Sequence, residues 1–451
     1  MNAPAGALLT DLYQLAMAHA YHQLGMKDTA VFELFVRRLP STRRFLIAAG
    51  LAQVVEYLEG LRFTADDLTC LKGLRSFPDD FLDYLSSIRF TGSLHAMPEG
   101  TPFFADEPIL RVTAPILEAQ LVESRILNLA HFQSLIASKA ARYVLAAGGR
   151  RLIDFGMRRA HGAEAGLLAA RAAFLAGFDA TATVEAGLRF GIPLSGTMAH
   201  SFIEAHDDEE QALRNFLNIR PGGTTLLIDT YDTERAARRV VALAHEREAA
   251  TRPGHIQGVR IDSGDLFAQA RAVRQIFDSA GCPDLQIVLS GGLDEYQVER
   301  LLGAGTPVDA FGVGTNLDTS SDAPALDMAY KLQEYAGRAR RKRSPGKVTW
   351  PGSKQVFREY DALGAPIGDC VALVDEPIAG TPLLREIMRA GRRVVDLPEL
   401  VLTRNYCREQ LLNLPSRLQS LGELDAREPN YQVRISSGIR TLADRVDALE
   451  K

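Results

Sequence analysis

Cysteine is scarce in this chain: 451 residues hold four. Cys70, Cys282, Cys370 and Cys407 are far apart and form no C-x-x-C pair, which argues against a zinc site or a disulfide framework and fits a reducing compartment. No uninterrupted apolar run reaches the roughly 18 residues that a membrane helix needs, and Met1 to Thr10 lacks the basic start and apolar core of a secretion signal. Neither secretion nor membrane insertion is expected, and the expected location is cytoplasmic. Positive charge is not in excess either. A formal net charge of -5 disfavours nucleic acid as a partner and leaves small molecules. No G-x-G-x-x-G follows an early strand, so a Rossmann domain is not expected. No G-x-x-x-x-G-K-[ST] occurs, so any nucleoside triphosphate must bind without a P-loop.

What is present is ordinary globular material, 46% hydrophobic and long enough for two or more domains. Leu8 to Leu24 reads as an amphipathic helix carrying Tyr13, Ala30 to Arg38 as a strand, and the stretch through Ile47, Leu51, Val54 and Leu58 as a helix. Thr91 to Thr113 breaks into short β segments at Pro98-Glu99-Gly100 and Asp106-Glu107-Pro108, which predicts a small antiparallel sheet. Pro115 then opens a helical region that Gly148-Gly149 closes.

From Arg151 to about Asn316 short β-rich runs alternate with helical ones. The runs are Arg151 to Phe155, Phe178 to Ala182, Ile192 to Met198, Thr224 to Asp229, Ile256 to Asp262, Leu285 to Ser290 and Val308 to Val313. About seven strands, each followed by helical sequence, predict a parallel α/β barrel of TIM type. Beyond it, Arg338 to Lys347 is a basic run that reads as a solvated loop. The tail from Pro398 to Lys451 has helical stretches such as Ile439 to Leu449.

In such a barrel the C-terminal strand ends converge on the ligand. Here they are polar: Asp154-Phe155-Gly156 with Arg158-Arg159, Thr197 and His200, Asp229 to Asp232, Arg260 to Asp265, Ser290-Gly291-Gly292, and Gly312-Val313-Gly314-Thr315. The two glycine turns after the last strands suit a phosphate, whose oxygens need close backbone amides. Asp229, Asp262 and Asp265 are placed to hold sugar hydroxyls or magnesium, with helix capping as the alternative for Asp232 and Asp265. Arg158, Arg159 and Arg260 offer fixed forks to phosphate or carboxylate.

Asp154 to Gly162, Gly196 to Ser201, Val259 to Asp265 and Gly312 to Thr315, with Leu9-Thr10-Asp11-Leu12-Tyr13-Gln14 and Tyr330-Lys331-Leu332, resemble the nicotinate phosphoribosyltransferase family. The match keeps the family's order and weakens beyond Arg358. The resemblance implies a type II phosphoribosyltransferase, a homodimer whose irregular α/β barrel (126–329) is flanked by an α+β domain built from both chain ends (1–125, completed by about 330–451). It implies an ATP-dependent ligase that joins nicotinate to phosphoribosyl pyrophosphate in NAD biosynthesis, with magnesium, nicotinate, phosphoribosyl pyrophosphate and ATP as its small-molecule partners.

By the same resemblance, Asp229 and Asp262 serve the ribose, the magnesium or the transition state, and Arg158, Gly291, Gly292, Gly312, Gly314 and Thr315 the phosphoribosyl pyrophosphate. Phe155 and a partner subunit's copy of Tyr13 stack on nicotinate, Thr197 and Arg260 meet its carboxylate, and His200 is the residue phosphorylated by ATP. Nicotinamide-using relatives carry an aspartate in the turn matching Thr181-Ala182-Thr183, where this chain has Ala182. The alternatives are a nicotinamide enzyme, another phosphosugar-handling barrel, and a homologue without catalysis.

Overall fold

The computed structural model describes residues 6–220, 223–249, 255–422 and 431–449. The chain forms two compact units, 139–322 and the pair 1–138 with 323–451.

The unit 139–322 holds a six-stranded sheet whose strands are β1 (Arg151–Asp154), β2 (Ala180–Thr181), β3 (Thr224–Leu227), β4 (Ile256–Ile261), β5 (Gln286–Leu289) and β6 (Ala310–Val313). Their order is β2-β1-β6-β5-β4-β3, and every pairing is parallel. These runs form strands because they are short and almost wholly apolar: helices cover them, so no solvent-facing alternation is needed. Leu226, Val259, Ile261, Ile287, Leu289 and Phe311 are buried, each such side chain contributing about 1.5–3 kcal/mol.

The segment Ile192 to Met198, expected as a seventh strand, adds a single parallel bridge between Thr181 and Leu194. Thr181 donates its amide to Pro193 and accepts one from Ser195, both at 3.0 Å. Pro193 has no amide of its own, so a ladder cannot lengthen through it. Among the described residues no ladder joins this segment to β3, and the sheet is a parallel half-barrel.

The helices that follow are set by the sequence at their starts. Asp265 accepts from the Ala268 amide and caps Leu266–Ser279, whose buried Ala270, Val273 and Phe277 fall at helical spacing. Asp294 and Gln297 form a reciprocal capping box on Glu295–Gly303.

The other unit is α+β and is built from both ends of the chain. Strand Thr29–Val36 lies between Met328–Tyr335 and Pro108–Pro115, antiparallel to both, in a seven-stranded sheet. A four-stranded sheet combines Thr381–Pro382, Lys354–Tyr360, Pro366–Leu373 and Gln432–Ile435. Gln14 and Lys331, from the two terminal motifs, both reach Glu123, at 3.1 and 3.3 Å, while the Tyr330 hydroxyl donates to the Ala119 carbonyl at 2.8 Å. The long helical region expected after Pro115 is two helices, Ile116–Leu121 and Glu123–Ala146. In the tail, helix Ser437–Leu449 includes the stretch read as helical; 423–430 of that tail lie outside the described residues. No helix among the described residues is long and apolar enough to cross a membrane.

Candidate active site

Parallel strands in one sheet end on one edge, and here that edge gathers the polar residues. Arg260, near the end of β4, is the hub. Its Nε donates to Ser290 Oγ at 2.8 Å, one terminal nitrogen to Thr197 Oγ1 at 3.1 Å, and the other to Asp262 Oδ1 at 2.6 Å. Ser290 donates its own hydrogen to that same Asp262 oxygen at 2.5 Å. Burial works to raise the Asp262 carboxyl, but the hydrogen bonds from Ser290 and Arg260 outweigh it and hold the group below the usual carboxylate range.

Asp229 stands next to this hub, its side chain only 2% exposed. One oxygen meets His200 Nε2 at 3.2 Å; the other accepts the Asp262 amide at 2.9 Å and the Ser263 hydroxyl at 2.6 Å. An ionised carboxylate can only accept, so in the neutral imidazole this contact takes its hydrogen from Nε2 and leaves the lone pair on Nδ1. His200 opens the short helix His200–Glu204, three residues beyond Thr197.

Phe155 follows β1 and packs against Ile153, Ala180, Val288 and Ala310. The Arg260 guanidinium carbon lies 5.4 Å from its ring centroid, a cation–π distance. Gly312 pairs with Ile153 inside the sheet, and a Cβ there would strike the Phe155 ring. Its glycine therefore makes room for the aromatic, and the free backbone of that turn begins at Gly314.

The two glycine turns lie together. Gly291 and Gly292 have φ of +104° and +69°, a region that favours glycine. Asn316 donates to the Gly292 carbonyl at 2.8 Å, tying the first turn to the second. Thr315 opens helix Thr315–Asp318, and exposed Arg158 and Arg159 lie in the single turn Met157–Arg159.

The structure separates the aspartates that the sequence left with two readings. Asp232 accepts from the Arg235 amide and Asp265 from the Ala268 amide, so both are caps. Asp229 and Asp262 face the cluster. Tyr13 belongs to the other unit, on helix Leu12–Gln23, and is 48% exposed; burial and then the Glu123 charge push its hydroxyl up. Ala182 is exposed, and its amide donates to the Asp154 carbonyl at 2.8 Å.

Two hydroxyls that join the network, Ser263 and Ser290, stood in the polar strand-end motifs of the sequence without a role of their own. Their signal is position: each lies within two residues of the ligand end of a strand. Asp318 was missed entirely, and nothing in a Thr-Asn-Leu-Asp turn announces it.

No group of three or more His, Cys, Asp and Glu side chains that could hold a metal ion exists among the described residues. The oxygen chemistry of Asp229 and Asp262 nevertheless suits magnesium, which binds through one or two carboxylates with water and phosphate oxygens completing its shell. A cleft of about 440 Å³ opens beside Asp262 to Asp265 and Gly291, walled by Leu293, Gln297 and Arg300.

Fixed guanidinium, paired carboxylates, a histidine and linked glycine turns on the ligand edge of a parallel α/β sheet define a phosphate-handling enzyme of the half-barrel class. Residues 8–131 match the nicotinate phosphoribosyltransferase (NAPRTase) N-terminal domain and 150–339 the nicotinate phosphoribosyltransferase (NAPRTase) family. The chain is 48% identical to nicotinate phosphoribosyltransferase pncB2 of Mycobacterium tuberculosis, over 96% of this chain and 92% of that one. It is 41% identical to the nicotinate phosphoribosyltransferase of Bacillus subtilis, over 84% and 78% respectively. Among solved structures, human nicotinic acid phosphoribosyltransferase superposes with a TM-score of 0.86 at 29% identity, covering 97% of this chain and 100% of that one. Nicotinate-nucleotide pyrophosphorylase from Pyrococcus furiosus superposes at 0.73 and 26% identity, covering 90% and 95%. The chain belongs to the nicotinate phosphoribosyltransferase family.

Proposed function

We propose that this protein joins nicotinate to 5-phosphoribosyl 1-pyrophosphate, giving nicotinate mononucleotide and pyrophosphate, with ATP hydrolysis coupled through His200. The observation that carries this reading is the Arg260 hub: one guanidinium lies against the Phe155 ring and bonds Thr197, which together suit a flat ring bearing a carboxylate. Ring stacking on Phe155 orients the pyridine nitrogen, while Arg260 and Thr197 take the carboxylate. The nitrogen attacks the anomeric carbon as the bond to pyrophosphate breaks, and positive charge grows on the sugar. Asp229 and Asp262, the latter held ionised by its Ser290 and Arg260 donors, stabilise that charge. Gly291, Gly292, Gly314 and Thr315 present amides to the 5-phosphate, Gly312 leaves room for Phe155, and Arg158 faces the pyrophosphate. Magnesium would be held by Asp229 and Asp262 and would neutralise charge on the leaving pyrophosphate.

For the coupling, His200 Nδ1 carries the lone pair because Asp229 holds the Nε2 proton. Nδ1 attacks the γ-phosphorus of ATP, a nitrogen–phosphorus bond forms, and ADP leaves. Water later hydrolyses the phosphohistidine to phosphate. Exposed Leu9, Leu12 and Tyr13 support a homodimer in which Tyr13 completes a partner's site. We place the enzyme in the cytoplasm and in NAD biosynthesis.

Ala182 favours the acid over the amide as substrate, since a carboxylate there would repel nicotinate. The deciding experiment incubates the protein with phosphoribosyl pyrophosphate, magnesium and either nicotinate or nicotinamide, with and without ATP. Mononucleotide from nicotinate, stimulated by ATP, is the expected result. Product from nicotinamide alone points to the amide enzyme, and no product from either returns the chain to other phosphosugar chemistry or to a non-catalytic role. Labelled ATP should leave acid-labile, base-stable label on the wild type and none on His200→Ala.

A further inference from the structure

Asp154 and Asp318 are both buried, each 1% exposed, and they come from different elements, the end of β1 and the short helix after Gly314. The Asp154 carboxylate is already in use as an acceptor: the Gly156 amide reaches Oδ1 and the Thr181 hydroxyl reaches Oδ2, both at 2.7 Å. Neither Asp318 oxygen finds a donor among the described residues. A Cβ added at Gly156 would run into the Asp318 carboxyl, so that position is glycine to admit it. Gly156 brings the two acids together, its amide on the Asp154 carboxylate and its α-carbon against the Asp318 carboxyl, and the Asp154 charge acts on Asp318. Two ionised carboxylates cannot share a buried site without a cation, whereas one proton between them removes the repulsion and gives the orphaned group a partner.

We propose that Asp318 is a positioning residue of the active site: its carboxyl keeps a proton and donates it to Asp154, forming a clasp across three site loops. The Gly156 amide brings in the turn that carries Arg158. Thr181 brings in the 193–195 segment, with which it exchanges backbone hydrogen bonds, and so Thr197. Asp318 brings in the Gly314-Thr315 turn, whose Gly314 carbonyl accepts its amide at 3.0 Å. The proton also leaves one negative charge rather than two beneath a turn that receives a phosphate.

Burial, and then the Asp154 charge, push the Asp318 carboxyl well above its ordinary range. The turn Met157–Arg159 and helix Ala163–Ala176 also pack against helix Thr315–Asp318. Their charged residues are Arg158, Arg159, Glu164 and Arg171, and of the neighbouring charges Asp154 is the one that bears on Asp318. A raised carboxyl favours the folded state at low pH, and that advantage is lost as pH rises from the ordinary carboxyl range through the raised value.

The link to phosphate rests on the proposed function; the protonation does not, so the test has two arms. In the first, thermal unfolding of wild type and Asp318→Asn is followed from about pH 6 to about pH 9. Asparagine donates to Asp154 at every pH, so its melting temperature should gain on wild type as pH rises. Parallel curves overturn the proposal. In the second, KM for phosphoribosyl pyrophosphate should climb with pH in wild type and stay flat in Asp318→Asn. Asp318→Leu, which cannot donate, should raise that KM about tenfold or more with a smaller change in kcat. Asparagine as damaging as leucine overturns it too. If leucine fails to fold, the asparagine comparison still decides.

Discussion

The His200 imidazole and the Asp229 carboxylate meet at 3.2 Å, Nε2 to Oδ1, while the other oxygen of Asp229 holds the Asp262-Ser263 turn. One nearly buried carboxylate therefore fixes the tautomer of the histidine and the position of the second aspartate. Asp229→Ala should lower kcat by about 10²–10⁴, the range for a group acting on the reacting centre. It should also reduce labelling of His200 by ATP. Steady-state kinetics and labelling on one preparation check both; kcat within a few fold of wild type would contradict the assignment.

Arg260→Lys keeps the charge and loses the fork. A lysine cannot bond Thr197, Ser290 and Asp262 at once or stack on Phe155. Each lost charge-assisted bond is worth about 1.5–3 kcal/mol, so KM for nicotinate should rise at least about tenfold. Isothermal titration with nicotinate measures the same loss without turnover.

Gly312→Ala would push a methyl group into the Phe155 ring. Overpacking of this kind costs about 1–3 kcal/mol, and tilting the ring should also weaken nicotinate binding. Gly303→Ala is the matching control: it lies in helix Glu295–Gly303 with nothing within 4 Å of an added Cβ. Alanine there should be neutral or stabilising by up to about 1 kcal/mol. Urea unfolding of the two variants should move in opposite directions or leave Gly303→Ala unchanged.

Glu295 is buried with two cations, Lys139 Nζ at 2.5 Å and Arg142 Nε at 2.8 Å. Burial works to raise its carboxyl, but Lys139 and Arg142 outweigh it and the group titrates below its ordinary range. Its stabilisation is present above the unfolded value and is lost as pH falls through the lower folded one. Lys139→Met strands part of that charge, and also takes from Asp322 the ion pair that Lys139 makes with it at 2.8 Å. The variant should lose about 3–5 kcal/mol at neutral pH. The deficit should shrink as pH drops and Glu295 takes up a proton, which denaturant titration at two pH values would show.

Much of the half-barrel was legible because its strands are buried on both faces. Runs such as Gln286–Leu289 and Ala310–Val313 leave little alternative reading, and the polar residues directly after them mark the ligand edge. Ile192 to Met198 misled because its composition is strand-like, whereas Pro193 stops a ladder after one bridge. Asp229 and Asp262 were singled out in the sequence, while Asp265 carried both a site and a cap reading: Asp232 and Asp265 directly precede helix starts, and the direction of the side chain separates a cap from a site carboxylate. Asp318 was invisible for a different reason. Its partner lies in another strand more than a hundred residues away, and neither position carries a local pattern. Gly312 was read as a glycine of the phosphate turn, whereas the aromatic ring from β1's end that it makes room for is a fact of packing.

The strand Thr29–Val36 pairs on one side with Pro108–Pro115, made soon after it, and on the other with Met328–Tyr335, ~300 residues later. At about 5–20 residues per second of synthesis, its second edge waits roughly 15–60 s for a partner. During that interval a mostly buried apolar strand presents an open edge, the kind that pairs with other chains. The protein is therefore exposed to aggregation while still on the ribosome, and the half-barrel, whose sequence is contiguous, can fold before the sheet that begins the chain is complete.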